Sequence, residues 1–139
     1  MAYTYDFNAT HGLVIIRNAS SKWTGADVLE GAEEVVNDDQ FAPHYDWVYD
    51  LRFIHSAVIT VVEMEQIVER IRIYQKDGLV GEQGRSILIG TDEDLKYIGS
   101  LYHEKTDCSD ERFAIVETVE EARKWLGIKE PAAEIGLTT

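Results

Sequence analysis

The chain has 139 residues, of which 13 are basic and 26 acidic, so its formal net charge is -13. This length fits one domain with a substantial core, and the acidic excess disfavours nucleic acid and anionic membrane surfaces as partners. No basic segment with an apolar core begins the chain, and its apolar runs are too short to span a bilayer. The single cysteine, Cys108, cannot form an internal disulfide, which favours a reducing cytoplasmic location.

The first two predicted elements are strands. Aromatic residues alternate with small or polar ones over Ala2–Phe7, the period of two that is typical of a half-buried strand. A polar turn over Asn8–Gly12 leads into the β-branched run Leu13–Ile16. We therefore expect the second strand to fold back on the first as an antiparallel hairpin.

A helix and a long strand come next. Thr24 is placed to cap the helix, with Asp27 three residues on, and the helix should end near Asn37. After a connector that ends at Pro43, large strand-forming residues fill Tyr45–Leu51. The centre of this strand is apolar on both faces, which predicts a position in or near the middle of the sheet.

The longest helix follows. Thr60 and Glu63 have the spacing of a capping box, and the helical period continues to a stop at Asp77–Gly78. The short apolar run Ser86–Ile89 is typical of a buried parallel strand. A third helix should open with Thr91 and Asp94.

Arg112–Val116 is predicted to be the last strand, and Thr118 should cap a short final helix that Gly127 closes. Lys129–Thr139 has only scattered apolar residues, so we expect a mobile or loosely docked tail. The predicted order β-β-α-β-α-β-α-β-α describes one α/β domain over residues 1–127, with the tail over 128–139. Its five-stranded mixed sheet has an opening antiparallel hairpin, then parallel strands, and about four helices pack on it.

The candidate functional residues follow the long strand. Asp50 and Arg52 share a face and are placed to form an ion pair, and apolar residues then gather at the carboxyl end of the strand, where open α/β sheets commonly bind ligands. The predicted binding residues are Asp50, Arg52, Phe53, Ile54, His55, Ser56, Val58, Ile59 and Val62. A plain core or a dimer surface is the alternative explanation of the apolar members.

Catalytic and metal sites are not predicted. A nucleophilic triad needs a serine within reach of a histidine that a carboxylate orients, and the adjacent side chains of His55 and Ser56 rarely point at each other. No G-x-S-x-G motif is present, and the four histidines are widely separated, with no pair at helical i, i+4 spacing. We expect no catalytic residue, no metal and no other cofactor.

Three stretches resemble the STAS-like (SpoIIAA-like) family, which includes the anti-sigma factor antagonists: VYDLR followed by FIHSAVI, the strand SILIG, and the closing FAIVETVEEARKWLG. The likeness covers about residues 1–127. It implies a domain that binds other proteins and a serine, at the start of the helix after the Asp-Leu strand, that a partner kinase phosphorylates. The comparable position is Ser56, although His55 stands where the antagonists have aspartate. An ordinary loop or helix-start serine is the alternative.

We therefore predict a cytoplasmic, non-enzymatic binding domain that acts through residues 52–62 on a protein partner, or as a homodimer. The alternative is a carrier or sensor of a small apolar or lipid-like ligand, by analogy with lipid-transfer domains of similar architecture. The residues predicted to line such a site are Phe53, Ile54, Val58, Ile59 and Val62. A third hypothesis is an undetected hydrolase that uses Ser56.

Overall fold

The structure is a computed structural model that describes residues 3–106 and 111–137. Its elements, in chain order, are β1 (Tyr3–Asn8), β2 (Leu13–Asn18), β3 (Lys22–Thr24), α1 (Gly25–Val36), β4 (Asp46–Asp50), β5 (Ser56–Val58), α2 (Val61–Lys76), β6 (Ser86–Ile89), α3 (Glu93–Thr106), β7 (Phe113–Val116), α4 (Val119–Leu126) and a 3-10 helix (Ala132–Ile135). Cys108 lies outside the described residues, so the prediction about it stays a prediction.

The five-stranded mixed sheet is confirmed. Its strand order is β1-β2-β4-β6-β7, with β1 antiparallel to β2 and the other pairs parallel. β4 is the middle strand, as its apolar character on both faces predicted. The sequence did not predict the separate two-stranded parallel sheet of β3 and β5, in which Trp23 lies opposite Ala57.

Both faces of the main sheet are covered. Successive residues of a strand point to opposite faces, and β6 shows this clearly. Leu88 packs in the cluster that α2 and α3 complete, whereas Ile87 and Ile89 pack in the cluster that α4 completes. The strands run between α1, α2 and α3 on one side and α4 with the terminal segment on the other.

Capping contacts fix the first turns of the helices. Thr24 forms a capping box with Asp27, and Thr60 forms one with Glu63, so both predicted boxes are confirmed. Thr118 accepts a hydrogen bond from the backbone of Glu121 at 3.1 Å. Each such cap stabilises its helix by about 1 kcal/mol.

The predicted cap of the third helix is wrong by one residue. α3 begins at Glu93, and Asp92, instead of Thr91, accepts the backbone hydrogen bond from Asp94 at 2.9 Å. Threonine and aspartate are both good N-cap residues, so the sequence alone did not separate them. The helix ends at Thr106.

The terminal segment packs more closely than the sequence predicted. Ile135 and Leu137 are buried against the sheet, with 2% and 1% of their surface exposed, and they belong to the same cluster as α4. The amide side chain of Asn8 donates to the carbonyl of Ile135 at 3.3 Å, and Arg17 donates to the carbonyl of Gly136. The prediction of a mobile or loosely docked tail is therefore wrong for residues 129–137. Within the described ranges, no helix is both long enough and apolar enough to cross a membrane.

Candidate functional site

The residues between β4 and the first turn of α2, 51–62, form what we call the apex. At its base, Asp50 is almost fully buried and binds the guanidinium of Arg52 through two parallel hydrogen bonds, Nε to Oδ1 at 2.9 Å and Nη2 to Oδ2 at 2.8 Å. The hydrogen bonds to Asp50 raise the pKa of Arg52. The predicted ion pair is confirmed, and the Asp50 carboxylate contacts Arg52, not His55.

Backbone contacts hold the rest of the apex in place. The carbonyl of Ser21 accepts hydrogen bonds from the backbone N–H groups of His55 at 2.6 Å and Ser56 at 3.2 Å. The backbone N–H of Ala57 donates to Asp94 Oδ2 at 3.4 Å, and β5 pairs with β3. The apex is therefore connected to three other parts of the fold: the loop before β3, β3 itself and the start of α3.

The apex presents an apolar surface, which we call the apical patch. Its members are Phe53, Val58, Val61 and Val62, all exposed, with 73% of Phe53 and 64% of Val62 accessible to solvent. The guanidinium carbon of Arg52 lies 5.4 Å from the centre of the Phe53 ring, within the range of a cation–π contact.

The nine predicted binding residues differ in their exposure to solvent. Phe53, His55, Val58 and Val62 are exposed, and Arg52 and Ser56 are half-buried. Asp50, Ile54 and Ile59 are buried, and the two isoleucines belong to the core cluster beneath α2. The predicted surface is therefore too broad, because these three side chains face inward.

Ser56 does not lie at a helix start. It is the first residue of β5, four positions before Thr60, which caps α2. The helix-start position that the STAS-like resemblance implied for Ser56 is therefore wrong, and a phosphate on Ser56 would not lie at the N-terminus of α2, where the helix dipole stabilises negative charge.

A second feature is a partly open cavity at the other end of the sheet, near the amino ends of the parallel strands. Its volume is about 110 Å³. Trp47 and Tyr49 of β4 line it on the sheet side, and Leu29 of α1 and Ile71 of α2 line it on the helix side. Tyr49 keeps accessible surface beneath the helices because it borders this space.

A smaller cavity of about 70 Å³ adjoins the first. The two share lining residues, among them Tyr49, Ile67 and Tyr102, and the smaller one extends to Leu88 and Phe113. We call the two cavities the apolar tract. Burial, with the nearby Tyr102 and Tyr74 hydroxyls, raises the pKa of Tyr49. An apolar cavity of about 150 Å³ is large enough to bind benzene.

Polar groups lie along one edge of the apolar tract. The Tyr74 hydroxyl donates to Glu33 Oε2 at 2.5 Å, and Arg70 Nη1 lies 3.4 Å from the same oxygen. The Tyr74 hydrogen bond is the main cause that lowers the pKa of Glu33. Arg112 also lines the tract, and its Nε is buried without a hydrogen-bond partner.

Of the residues predicted to line a ligand site, only Ile59 reaches the apolar tract. The sequence analysis missed the aromatic lining, although one signal was present. Tyr45, just before β4, and Trp47 and Tyr49 of β4 follow a period of two, and three large rings side by side are difficult to pack without a gap. In the residues that the structure describes, no group of three His, Cys, Asp or Glu side chains is placed to hold a metal ion.

No protein-family model matches the chain, and no curated protein shows significant sequence similarity to it. The resemblance to the STAS-like family thus depends on the three sequence stretches, together with the order of elements that they predicted.

Proposed function

We propose that the protein is a non-enzymatic, STAS-like binding domain and that a protein partner docks on the apical patch. The observation that carries this proposal is the exposure of Phe53, of which 73% is accessible. Aromatic side chains, including phenylalanine, are enriched in protein–protein interfaces relative to the rest of the surface. Val58, Val61 and Val62 are also exposed in the same segment of the chain, so the apex carries several exposed apolar side chains and not a single one.

The framework beneath the patch supports docking. The Asp50–Arg52 pair and the two hydrogen bonds to the Ser21 carbonyl already hold the backbone around Phe53. A partner would therefore not have to order this loop, and ordering is one of the main free-energy costs of association.

The charge of the surroundings indicates which partner fits. Glu63 and Glu65 follow Val62 along α2, and Asp94 contacts the apex backbone. A second copy of the chain would bring the same acidic groups against these, and the whole chain carries a net charge of -13. The partner that suits the patch is thus a protein with an apolar pocket bordered by basic residues.

The test compares Phe53→Ser with Tyr97→Ser, which changes an aromatic residue that is 61% exposed on α3. Proteins captured by the wild type are purified, and their affinity for each variant is measured. We expect Phe53→Ser to weaken binding by about 30-fold, the effect of losing about 2 kcal/mol, and Tyr97→Ser to change nothing. Added salt should slow association, because the partner is basic.

Two results would contradict this proposal. A partner that binds wild type and Phe53→Ser equally well does not use the patch. Concentration-dependent self-association in sedimentation, lost in Phe53→Ser and kept in Tyr97→Ser, would make a second copy the occupant.

The apolar tract favours a second candidate function, the binding of a small apolar ligand. Native mass spectrometry of freshly purified protein should then show a retained adduct, or added apolar compounds should bind saturably. The matched variant is Ala32→Leu, which adds three carbons to a helix residue that lines the larger cavity. The Ala32→Leu variant should fold like the wild type but should no longer retain the adduct. Absence of both adduct and saturable binding over several preparations would remove this candidate.

A further inference from the structure

Arg112 differs from the other arginines of the described chain. Each of the other six lies within 4.0 Å of a carboxylate; these are Arg17, Arg52, Arg70, Arg72, Arg85 and Arg123. Arg112 forms no ion pair with any described residue, and its Nε is buried without a hydrogen-bond partner. In a chain with twice as many acidic as basic residues, an unpaired arginine is unexpected.

The position of Arg112 is fixed by the sheet. Its carbonyl accepts a hydrogen bond from the backbone N–H of Ser86 at 2.9 Å, and β7 begins at the next residue. The side chain lines the larger cavity of the apolar tract. Buried guanidinium donors without acceptors are rare because they lose hydration, and an acceptor that entered the cavity would restore the missing hydrogen bond.

The second arginine of the cavity is already neutralised. Arg70 pairs with Glu33, which also accepts the Tyr74 hydroxyl. An entering anion would therefore find its strongest partner in Arg112. A carboxylate suits a guanidinium best, since Nε and one Nη can donate to its two oxygens in parallel.

The other residues that line the larger cavity indicate the chemistry of the apolar part of the ligand. Aromatic rings surround the larger cavity, namely Tyr45, Trp47, Tyr49, Tyr74 and Tyr102. Such rings bind another ring through edge-to-face or offset contacts. The two adjoining volumes, about 110 Å³ and about 70 Å³, together slightly exceed the volume of about 150 Å³ that binds benzene, so the tract admits a small ring system and is too small for a long acyl chain.

We infer that the apolar tract binds a small aromatic carboxylic acid, with its ring among these aromatic side chains and its carboxylate on Arg112. This inference rests on the second candidate function and names its ligand class.

The test uses two probes of nearly equal shape, 2-naphthoate and the neutral 2-naphthamide. Binding to the full chain is measured by calorimetry and by tryptophan fluorescence, to which Trp47, a residue that lines the cavity, contributes. Wild type should bind 2-naphthoate at least tenfold more tightly than 2-naphthamide. Arg112→Gln should remove that preference and leave 2-naphthamide affinity unchanged, whereas Arg72→Gln, which alters an exposed arginine of α2, should change neither.

Three other results would contradict the inference in different ways. Equal binding of the two probes to wild type would overturn the carboxylate inference and leave the second candidate function standing. If 2-naphthoate, 2-naphthamide and decanoate all fail to bind, both the carboxylate inference and the second candidate function are wrong. Tighter binding of decanoate than of 2-naphthoate would overturn the aromatic class. The comparison between probes on wild type needs no variant, so it holds even if Arg112→Gln fails to fold.

Discussion

Replacing Arg52 by leucine should strongly destabilise the fold. The Asp50 side chain is 5% exposed and that of Arg52 17%, so removing the guanidinium leaves a carboxylate in the protein interior without its counter-ion. Breaking a buried ion pair from one side typically costs about 3 to 5 kcal/mol, and the slight exposure of Arg52 places this pair at the lower end, about 3 kcal/mol. With a urea m-value of about 2 kcal/mol/M, the unfolding midpoint should fall by about 1.5 M.

The control is the double variant Asp50→Asn/Arg52→Leu. It removes the uncompensated charge, while the Asn amide oxygen can still accept the backbone N–H of residue 52, which now donates to Asp50 Oδ1 at 3.3 Å. Urea unfolding of the wild type, both single variants and the double variant at pH 7 gives the coupling energy. We expect the double variant to be more stable than Arg52→Leu by about 1 to 2 kcal/mol. If it is equally or less stable, the stability of the apex does not depend on charge compensation.

Three further predictions use the same unfolding assay. Ile54→Ala should cost about 3 kcal/mol because Ile54 is buried, whereas Phe53→Ala should stay within about 0.5 kcal/mol; similar costs would mean that the apex is packed differently. The hydrogen bond from the Tyr74 hydroxyl is the main cause of the lowered pKa of Glu33. The ionised Glu33 side chain therefore stabilises the fold above the ordinary Glu pKa, and this contribution is lost as the pH falls through the lowered pKa. The stability gap between wild type and Tyr74→Phe should therefore be larger at pH 7 than at pH 3, and a constant gap would contradict this assignment. Ile135→Ala should cost about 3 kcal/mol, whereas a loosely docked segment would lose almost nothing.

The order of elements could be predicted because each long element carries its own local signal. β4 has apolar residues on both faces, and this placed it in the middle of the sheet. Thr24 and Thr60, each followed three residues later by an acidic residue, marked the starts of α1 and α2. These signals lie within a few residues of one another, so no knowledge of the tertiary fold was needed.

The errors concern features that depend on distant contacts. β5 has three residues, too few to show a period, and it is a strand only because β3 lies beside it. Ser56 was therefore expected at a helix start. Ile135 and Leu137 have no regular spacing, and they are buried in a cluster whose other members include Leu13 and Ile15, more than a hundred residues earlier in the chain.

The candidate site could be predicted only in part for the same reason. Asp50 and Arg52 are two residues apart on one strand, and their pairing followed from that spacing. The apolar tract arises where side chains of α1, α2 and β4 fail to fill the space between them, and such a volume depends on packing in three dimensions.

One helix belongs to both candidate sites. α2 carries Val61 and Val62 of the apical patch in its first turn, and about two to three turns later its residues Ile67 and Ile71 line the apolar tract. If a ligand in the apolar tract tilted α2, the apical patch would move with the helix. Ligand binding in the tract and partner binding on the patch would then be thermodynamically linked. Linkage of this kind is reciprocal: a compound that strengthened partner affinity by some factor would itself be held more tightly, by the same factor, in the complex.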